Sequence, residues 1–339
     1  MPASAGRLLA HARPSLSVAE RSTARRLRLT VPHYPGAQPS LDPPKPPNQR
    51  RPPGLHVAAA NVTPPQNLRR LSVTPPLREY LASLWHRRQF AISIANGERR
   101  AKHMNTTLGG LWNLLNPILS IGVYWVIFGL LLDTRRGVDN FLGFLAVGIF
   151  TYNYAQRSFT GGANSIANNL GLIRSLQFPR ALLPASAVLR EAYTLRSAAL
   201  VVAVVLLTTG EGVTARWLIV LPIVVLLSLF NLGGALVLAR FADRIRDISN
   251  VLPFVFRLVF YLSGVLFLVD RFVTDPALKA LFVINPFYSF ISLNREYLMT
   301  TLEQEGIGWM WLSVVCWSIG LFIFGLLYFR AGEGRYGRG

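Results

Sequence analysis

The chain has 339 residues, of which 51% are hydrophobic and 15% charged, and its mean hydropathy is positive at +0.35. That composition excludes a soluble enzyme built on one large core and describes a polytopic membrane protein. The formal net charge of +19 is concentrated early: residues 1–112 hold 17 Lys and Arg against Glu20, Asp42, Glu79 and Glu98.

Charge placed this way belongs to a tail and an interface that meet anionic lipid or a partner protein. No recognition fold accompanies it, so nucleic acid is not the expected partner. Residues 1–75 carry 14 of the 22 prolines. Proline fixes φ and removes backbone donors, so this Pro/Arg-rich stretch is expected to be a disordered tail without a packed core. Leu8-Leu9-Ala10 is too short for the apolar region of a signal peptide. An overextended gene start is the alternative reading of the same stretch.

Residues 76–104 are expected to form an amphipathic helix in the cytoplasmic interface. Leu77, Tyr80, Leu81, Leu84 and Trp85 repeat at helical spacing, while Arg78, Glu79, His86 and Arg87 lie off that stripe. An apolar face with a Trp and a basic polar face suits the membrane surface, and packing against other protein is the alternative.

Leu108 to Leu132 is uncharged and follows the basic cluster Arg99-Arg100-Ala101-Lys102. It is longer than the ~20 apolar residues a spanning helix requires. Six transmembrane helices are predicted, at roughly 112–132, 141–157, within 181–208, 217–239, 251–269 and 308–329. The connections 158–180 and 240–250 and the tail 334–339 hold Arg174, Arg180, Arg240, Arg244, Arg246, Arg335 and Arg338. By the positive-inside rule both termini then face the cytoplasm of a multi-pass protein in the plasma (inner) membrane. Arg190, Glu191 and Arg196 interrupt the third crossing and Arg257 the fifth. Each is expected to snorkel or to face protein or a water path. Between helices 5 and 6, two short apolar signals break at Asn285-Pro286, which reads as a re-entrant hairpin on the outer side. The predicted fold is therefore an all-α polytopic membrane protein with a transmembrane domain over 105–333.

The chain shows little catalytic chemistry. His11, His33, His56, His86 and His103 all precede the first crossing without metal-ligand spacing, and Cys316 is the only cysteine. The lysines are Lys45, Lys102 and Lys279, none of which follows a glycine-rich loop, so a phosphate-binding loop is absent. No catalytic residue, metal or cofactor is expected in this chain. No inverted repeat with ionisable residues at its midplane is evident, which favours an external motor over a gradient.

The stretch Thr107 to Pro117, followed by Val123-Tyr124 and Phe128-Gly129, resembles the start of the first crossing in ABC-2-type permeases that export polysaccharides. Asn169 to Arg180 is similar to that family's segment that docks on the ATPase. Asp243-Arg244-Ile245-Arg246-Asp247-Ile248, then Leu252-Pro253-Phe254, resembles its Arg-Asp-Ile loop, and Asn285-Pro286-Phe287 its Asn-Pro turn. The Arg-rich C-terminus, Gly332 to Gly339, looks like the mycobacterial cell-wall galactan exporters.

The resemblance implies a homodimeric permease paired with two copies of a nucleotide-binding ABC ATPase, which would carry the ATP and Mg. The cargo would be a polyprenyl-pyrophosphate-linked polysaccharide, of the galactan or O-antigen type. Coupling to the ATPase falls to Leu170, Ile173, Arg174, Leu176, Gln177, Phe178, Arg180, Arg244 and Asp247. Leu170, Ile173, Leu176 and Gln177 are expected on one face of a short helix. The substrate channel falls to Tyr124, Trp125, Phe128, Phe254, Arg257, Phe260 and Tyr261. Their flat rings suit sugars, and aromatic residues are also ordinary membrane filler. The alternatives are a drug or lipid efflux permease of the same fold and, in another class, a membrane enzyme or scaffold of glycan assembly.

Overall fold

The computed structural model describes residues 76–101, 107–132, 138–269, 273, 275–302, 304 and 306–336. The expected disordered tail over 1–75 lies outside the described residues, as does the end of the C-terminal tail. Among the described residues every regular element is helical. In chain order the helices are α1 (Leu77–His86), α2 (Arg88–Ala101), α3 (Trp112–Tyr124), α4 (Phe141–Asn168), α5 (Leu170–Ser175) and α6 (Leu182–Thr208). They continue with α7 (Val220–Arg244), α8 (Ile248–Leu262), α9 (Pro276–Ile284), α10 (Pro286–Leu298) and α11 (Ile307–Gly332).

Among the described residues, four segments are long and apolar enough to cross a membrane: Gly109–Leu131, Leu182–Thr208, Ala215–Arg244 and Ile307–Gly332. In the first, Pro117 sits inside α3 and the backbone widens into a π-helix over Trp125–Leu131. Helix α4 has 28 residues and continues to Asn168, well beyond the predicted end at 157. Asn140 starts it by accepting from the Gly143 N–H at 2.9 Å. This helix is the centre of the bundle and packs on α3, α6, α7, α8 and α10. Because protein surrounds most of it, it carries Thr151, Ser158 and Ser165 buried on its inner faces. Such polar groups would be costly against lipid; inside the bundle Thr151 donates to the Val147 carbonyl at 2.9 Å and Ser165 to the Gly162 carbonyl at 2.7 Å, while the Ser158 hydroxyl has no partner among the described residues. Helices α7 and α11 approach still more closely. A Cβ on Gly233 would lie 2.5 Å from the backbone of Leu321, so only glycine permits this crossing.

The expected interface helix is two helices bent at Arg87. Its apolar stripe divides: Tyr80 is 2% exposed and Leu84 packs on the same buried cluster, whereas Leu77, Leu81 and Trp85 stay open. The fifth predicted crossing, 251–269, is corrected to a helix of 15 residues ending at Leu262. Gly264 adopts φ +60, a left-handed turn that stops the helix, and Val265, Leu266 and Val269 then bury as irregular chain. The break at Asn285 forms as the sequence indicates. Its side chain accepts from the Phe287 N–H at 3.0 Å and donates to the Leu262 carbonyl at 3.2 Å and the Ser263 hydroxyl at 3.1 Å. One residue thus caps α10 and ties the helix pair α9–α10 to the end of α8.

The tightest polar feature is Arg295 on α10, 2% exposed. Its Nε and Nη2 donate to the Phe144 carbonyl at 3.2 and 3.1 Å, Nη1 to the Gly264 carbonyl at 2.8 Å, and Nη2 also to the Val265 carbonyl at 2.7 Å. The guanidinium carbon lies 3.3 Å from the Phe144 ring centroid. Gly148 makes room, since a Cβ there would be 2.5 Å from Nη2. Neighbouring contacts extend the knot: Glu211 accepts from the Thr300 N–H at 2.6 Å, from the Thr300 and Thr301 hydroxyls at 2.7 and 2.6 Å, and from Asn140 at 3.1 Å.

Replacing Arg295 by Lys cannot reproduce a fork that meets three carbonyls, and the unmet acceptors should cost about 3 kcal/mol. The expected result is a clearly lower melting temperature for Arg295→Lys in detergent, read by fluorescence-detected size exclusion after heating. Melting equal to that of the wild type would show that the carbonyls find other donors.

Candidate functional site

The predicted coupling residues gather at one end of the bundle, where α1, α5, the end of α7 and the C-terminal turn meet. Helix α5 covers only six residues. Leu176 is already extended, with φ −129 and ψ 145. Pro179 explains the early stop, because it lacks an N–H and pushes Phe178 out of the helical region. The expected single face of Leu170, Ile173, Leu176 and Gln177 therefore does not form. Ile173, at 9% exposure, points into the bundle beside Tyr80, Ile166, Leu183 and Phe329, and Leu170 packs against the same cluster. Leu176 is 49% exposed, and Arg174 and Gln177 are also exposed.

The extended piece that follows is fastened on two sides. Arg87 donates to the Gln177 carbonyl, and the Phe178 ring packs on Phe90 with centroids 4.8 Å apart. These contacts hold it to the α1–α2 bend. Arg180 fastens it to the C-terminus: its N–H donates to Glu333 Oε1 at 2.7 Å, and its Nη1 donates to the carbonyls of Glu333, at 2.6 Å, and Tyr336. Asp243, at the end of α7, lies within electrostatic range of both Arg180 and Arg246. Arg244, the last residue of α7, and Asp247, just before α8, stand exposed. The structure thus brings the 170–180 and 240–250 segments to one face, with Arg180 between them. Glu333 escaped the sequence reading; its only signal was an acid just past the last apolar helix. Burial raises its carboxyl above the usual range, and the Arg180 N–H, the Tyr80 hydroxyl and the charges of Arg180 and Arg330 offset that only in part.

The predicted channel residues lie along α3 and α8. Helix α8 buries Leu252, Phe256 and Phe260 on one stripe. Its opposite side is open: Phe254 is 70% and Tyr261 47% exposed, with Val251, Leu258 and Leu262 beside them. Arg257 is exposed on this side too. Tyr124, Trp125 and Phe128 are half-buried at its edge. The Tyr124 ring is 5.3 Å from Phe260 and 6.2 Å from Phe128, and its hydroxyl is within electrostatic range of Arg257 and Tyr261. Phe260 is thus core, not lining. Behind it stands an aromatic column that the sequence did not reveal. The Phe287 ring lies 5.7 Å from Tyr152, 6.0 Å from Phe159, 5.5 Å from Phe230 and 6.5 Å from Phe256. Phe287 follows the Asn285-Pro286 break directly, so the hairpin packs on the same column that backs α8.

The charges inside the third predicted crossing are also placed. Arg190 pairs with Glu98 of α2 and, at 3.1 Å, with Glu191. Arg196 lies over the Tyr193 ring, 5.0 Å from its centroid. No cluster of His, Cys, Asp and Glu suited to a metal occurs among the described residues.

Residues 92–299 match the ABC-2 type transporter family. The chain is 26% identical over 245 residues to the O-antigen export system permease protein RfbA of Klebsiella pneumoniae, covering 71% of this chain and 93% of that one. It is 28% identical over 211 residues to the protein of the same name from Myxococcus xanthus, covering 62% of this chain and 80% of that one.

The Glu333 shift carries a testable sign. A carboxyl with a native value above its unfolded one binds more protons when folded, so its contribution to stability falls as pH rises through that window. As pH rises through and above the ordinary carboxylate range, wild type should lose stability that Glu333→Gln does not. Melting curves between mildly acid and neutral pH check this, and parallel curves for the two proteins would contradict it.

Proposed function

The chain belongs to the ABC-2 type transporter family, and we propose that it is the membrane-spanning permease of an ATP-driven polysaccharide exporter. Family membership implies a separate ABC ATPase partner, which in this reading is present in two copies and supplies ATP and Mg. The permease itself moves cargo and is not an enzyme. Six crossings accommodate the helices: the α3 segment, α4, α6, α7, α8 with the irregular chain after it, and α11. Helices α1 and α2 lie in the cytoplasmic interface with Leu77, Leu81 and Trp85 toward lipid. Helices α9 and α10 form the re-entrant hairpin on the outer side, and both termini are cytoplasmic.

The observation that carries this reading is the one-sided burial of α8. Its exposed face holds Phe254, Arg257 and Tyr261 next to Tyr124, in a chain too apolar for that face to meet water alone. A second copy facing it would close a path lined by aromatic rings, which bind sugar planes weakly and let them slide. The two RfbA relatives are described as O-antigen export permeases, which supports a polysaccharide cargo. A polyprenyl-pyrophosphate-linked glycan, of O-antigen or galactan type, fits an amphiphile taken up at the membrane.

Depleting the chain and analysing membrane lipids tests the reading: a lipid-linked glycan should accumulate on the cytoplasmic side. An unchanged lipid-linked pool would overturn it. Phe254→Ala with Tyr261→Ala should reduce export flux several-fold at normal protein abundance, because neither side chain is core; full flux would remove them from the path. Leu176→Asp should leave the permease folded while sharply lowering ATPase co-purification. Ile173 is unsuited to that test, since an acid there would disrupt the bundle. Retention of the ATPase by Leu176→Asp would shift coupling to the 240–250 loop.

A further inference from the structure

Two cavities meet on α4. One is a chamber of about 410 Å3 between α2, α4 and α6, within the size range of small-molecule sites. Its wall is polar, with Asn116, Arg157, Asn164 and Asn168 facing the Glu98–Arg190–Glu191 group. The other is a narrow crevice of about 40 Å3 between α3, α4 and α6, lined on its apolar side by Ile121, Ile149, Ala198 and Val202. Arg157 and Glu191 line both. A polar chamber beside an apolar slot, with Arg157 and Glu191 as shared wall, has the outline of an amphiphile, with space for a head and for the first carbons of one chain.

The charges describe the head. Arg190 is already committed to two carboxylates, Glu98 and Glu191. One cation between two anions leaves that group with one surplus negative charge and free carboxylate lone pairs. Arg157, exposed at the junction, makes no hydrogen bond or ion pair among the described residues, nor do the side-chain amides of Asn116 and Asn168. The chamber therefore has an uncompensated positive end of strong donors and an uncompensated negative end of acceptors, and is neutral as a whole. A purely anionic head meets repulsion from the carboxylate end, and a purely cationic one from Arg157. A head with both charges satisfies both ends.

We propose that this double cavity holds one phospholipid with a primary-amine zwitterionic head. Its phosphate sits on Arg157 with the amides of Asn116 and Asn168. Its ammonium donates to the carboxylates of Glu98 and Glu191, and its acyl chain starts into the crevice between α3, α4 and α6. The lipid wedges α2 against α4 and α6 at the level of the membrane surface. The assignment depends on the membrane placement of α2, not on the nature of the exported cargo.

The test is native mass spectrometry of the full chain in detergent, titrated in parallel with short-chain phosphatidylethanolamine, short-chain phosphatidylglycerol and a polyprenyl phosphate. One equivalent of phosphatidylethanolamine should bind in preference to the other two. Loss of a charge-assisted contact should weaken it on the order of tenfold in Arg157→Gln, and Arg157→Lys should restore part of it. Ala198→Trp, which fills the crevice, should weaken binding while leaving Arg157 in place. Arg157 is exposed, whereas Ala198 is half-buried beside the core residues Ile121, Ile149 and Val202, so an unchanged elution profile and melting temperature are required of each variant before its binding is read. Equal binding of phosphatidylglycerol would overturn the zwitterion assignment. Preference for the polyprenyl phosphate would assign the chamber to cargo, and binding indifferent to both Arg157 and Ala198 would dismiss the site.

Discussion

The constraint on which one end of the bundle depends is the burial of a single guanidinium. Arg295 has no carboxylate among its bonded partners and is held by the carbonyls of Phe144, Gly264 and Val265. A lone buried cation would be very costly, and backbone dipoles with a ring face are what make it tolerable. Two of these carbonyls, those of Gly264 and Val265, need a partner in any case. Gly264 and Val265 belong to the chain that leaves α8 early, where helical bonding has ended. The short α8, the irregular stretch after it and the seat of α10 are therefore one feature. Removing the cation would leave the Gly264 and Val265 carbonyls without this donor and loosen the contact with α4 at the same place.

At the other end, connectivity and bonding combine to make a mechanical linkage. The extended chain between α5 and α6 is tied by Arg180 to the turn that follows α11, and by Arg87 and Phe90 to the bend between α1 and α2. Pro179 prevents it from coiling up as helix. Leu176, the exposed apolar residue of this stretch, is thereby joined to α6 by covalent continuity and to the turn after α11 through Arg180 and Glu333. Ile173 has the different task of seating α5 on the core, which explains why two apolar residues three apart differ so much in exposure.

The charges in apolar stretches follow a common logic. Arg190 and Glu191 balance each other with Glu98 from another helix, Arg196 lies over Tyr193, and Arg257 remains on the open face of α8. Only the last lacks a settled environment within one chain. It shares its face with Phe254 and Tyr261, so the unsatisfied charge and the unsatisfied apolar surface coincide. Helix α4 shows the converse: its polar residues are unremarkable because five neighbouring helices enclose it.

The amino-acid sequence alone determined the helical class, the long apolar segments, the break at Asn285-Pro286 and the absence of a phosphate-binding loop. Each follows from local chemistry: uncharged length, missing N–H groups, capping side chains and short-range spacing. It determined the faces of helices less well. Helix α8 is apolar nearly all round, so only packing decided that Phe260 turns inward and Phe254 and Tyr261 outward. Arg295 lay in a stretch readable only as an apolar helix, and its partners are 30 to 151 residues away in the chain. The pairing of Arg190 with Glu98 spans 92 residues. Contacts of that range depend on which helices become neighbours, and tertiary structure decides that because close approach at small residues such as Gly148 and Gly233 has no signature in local spacing.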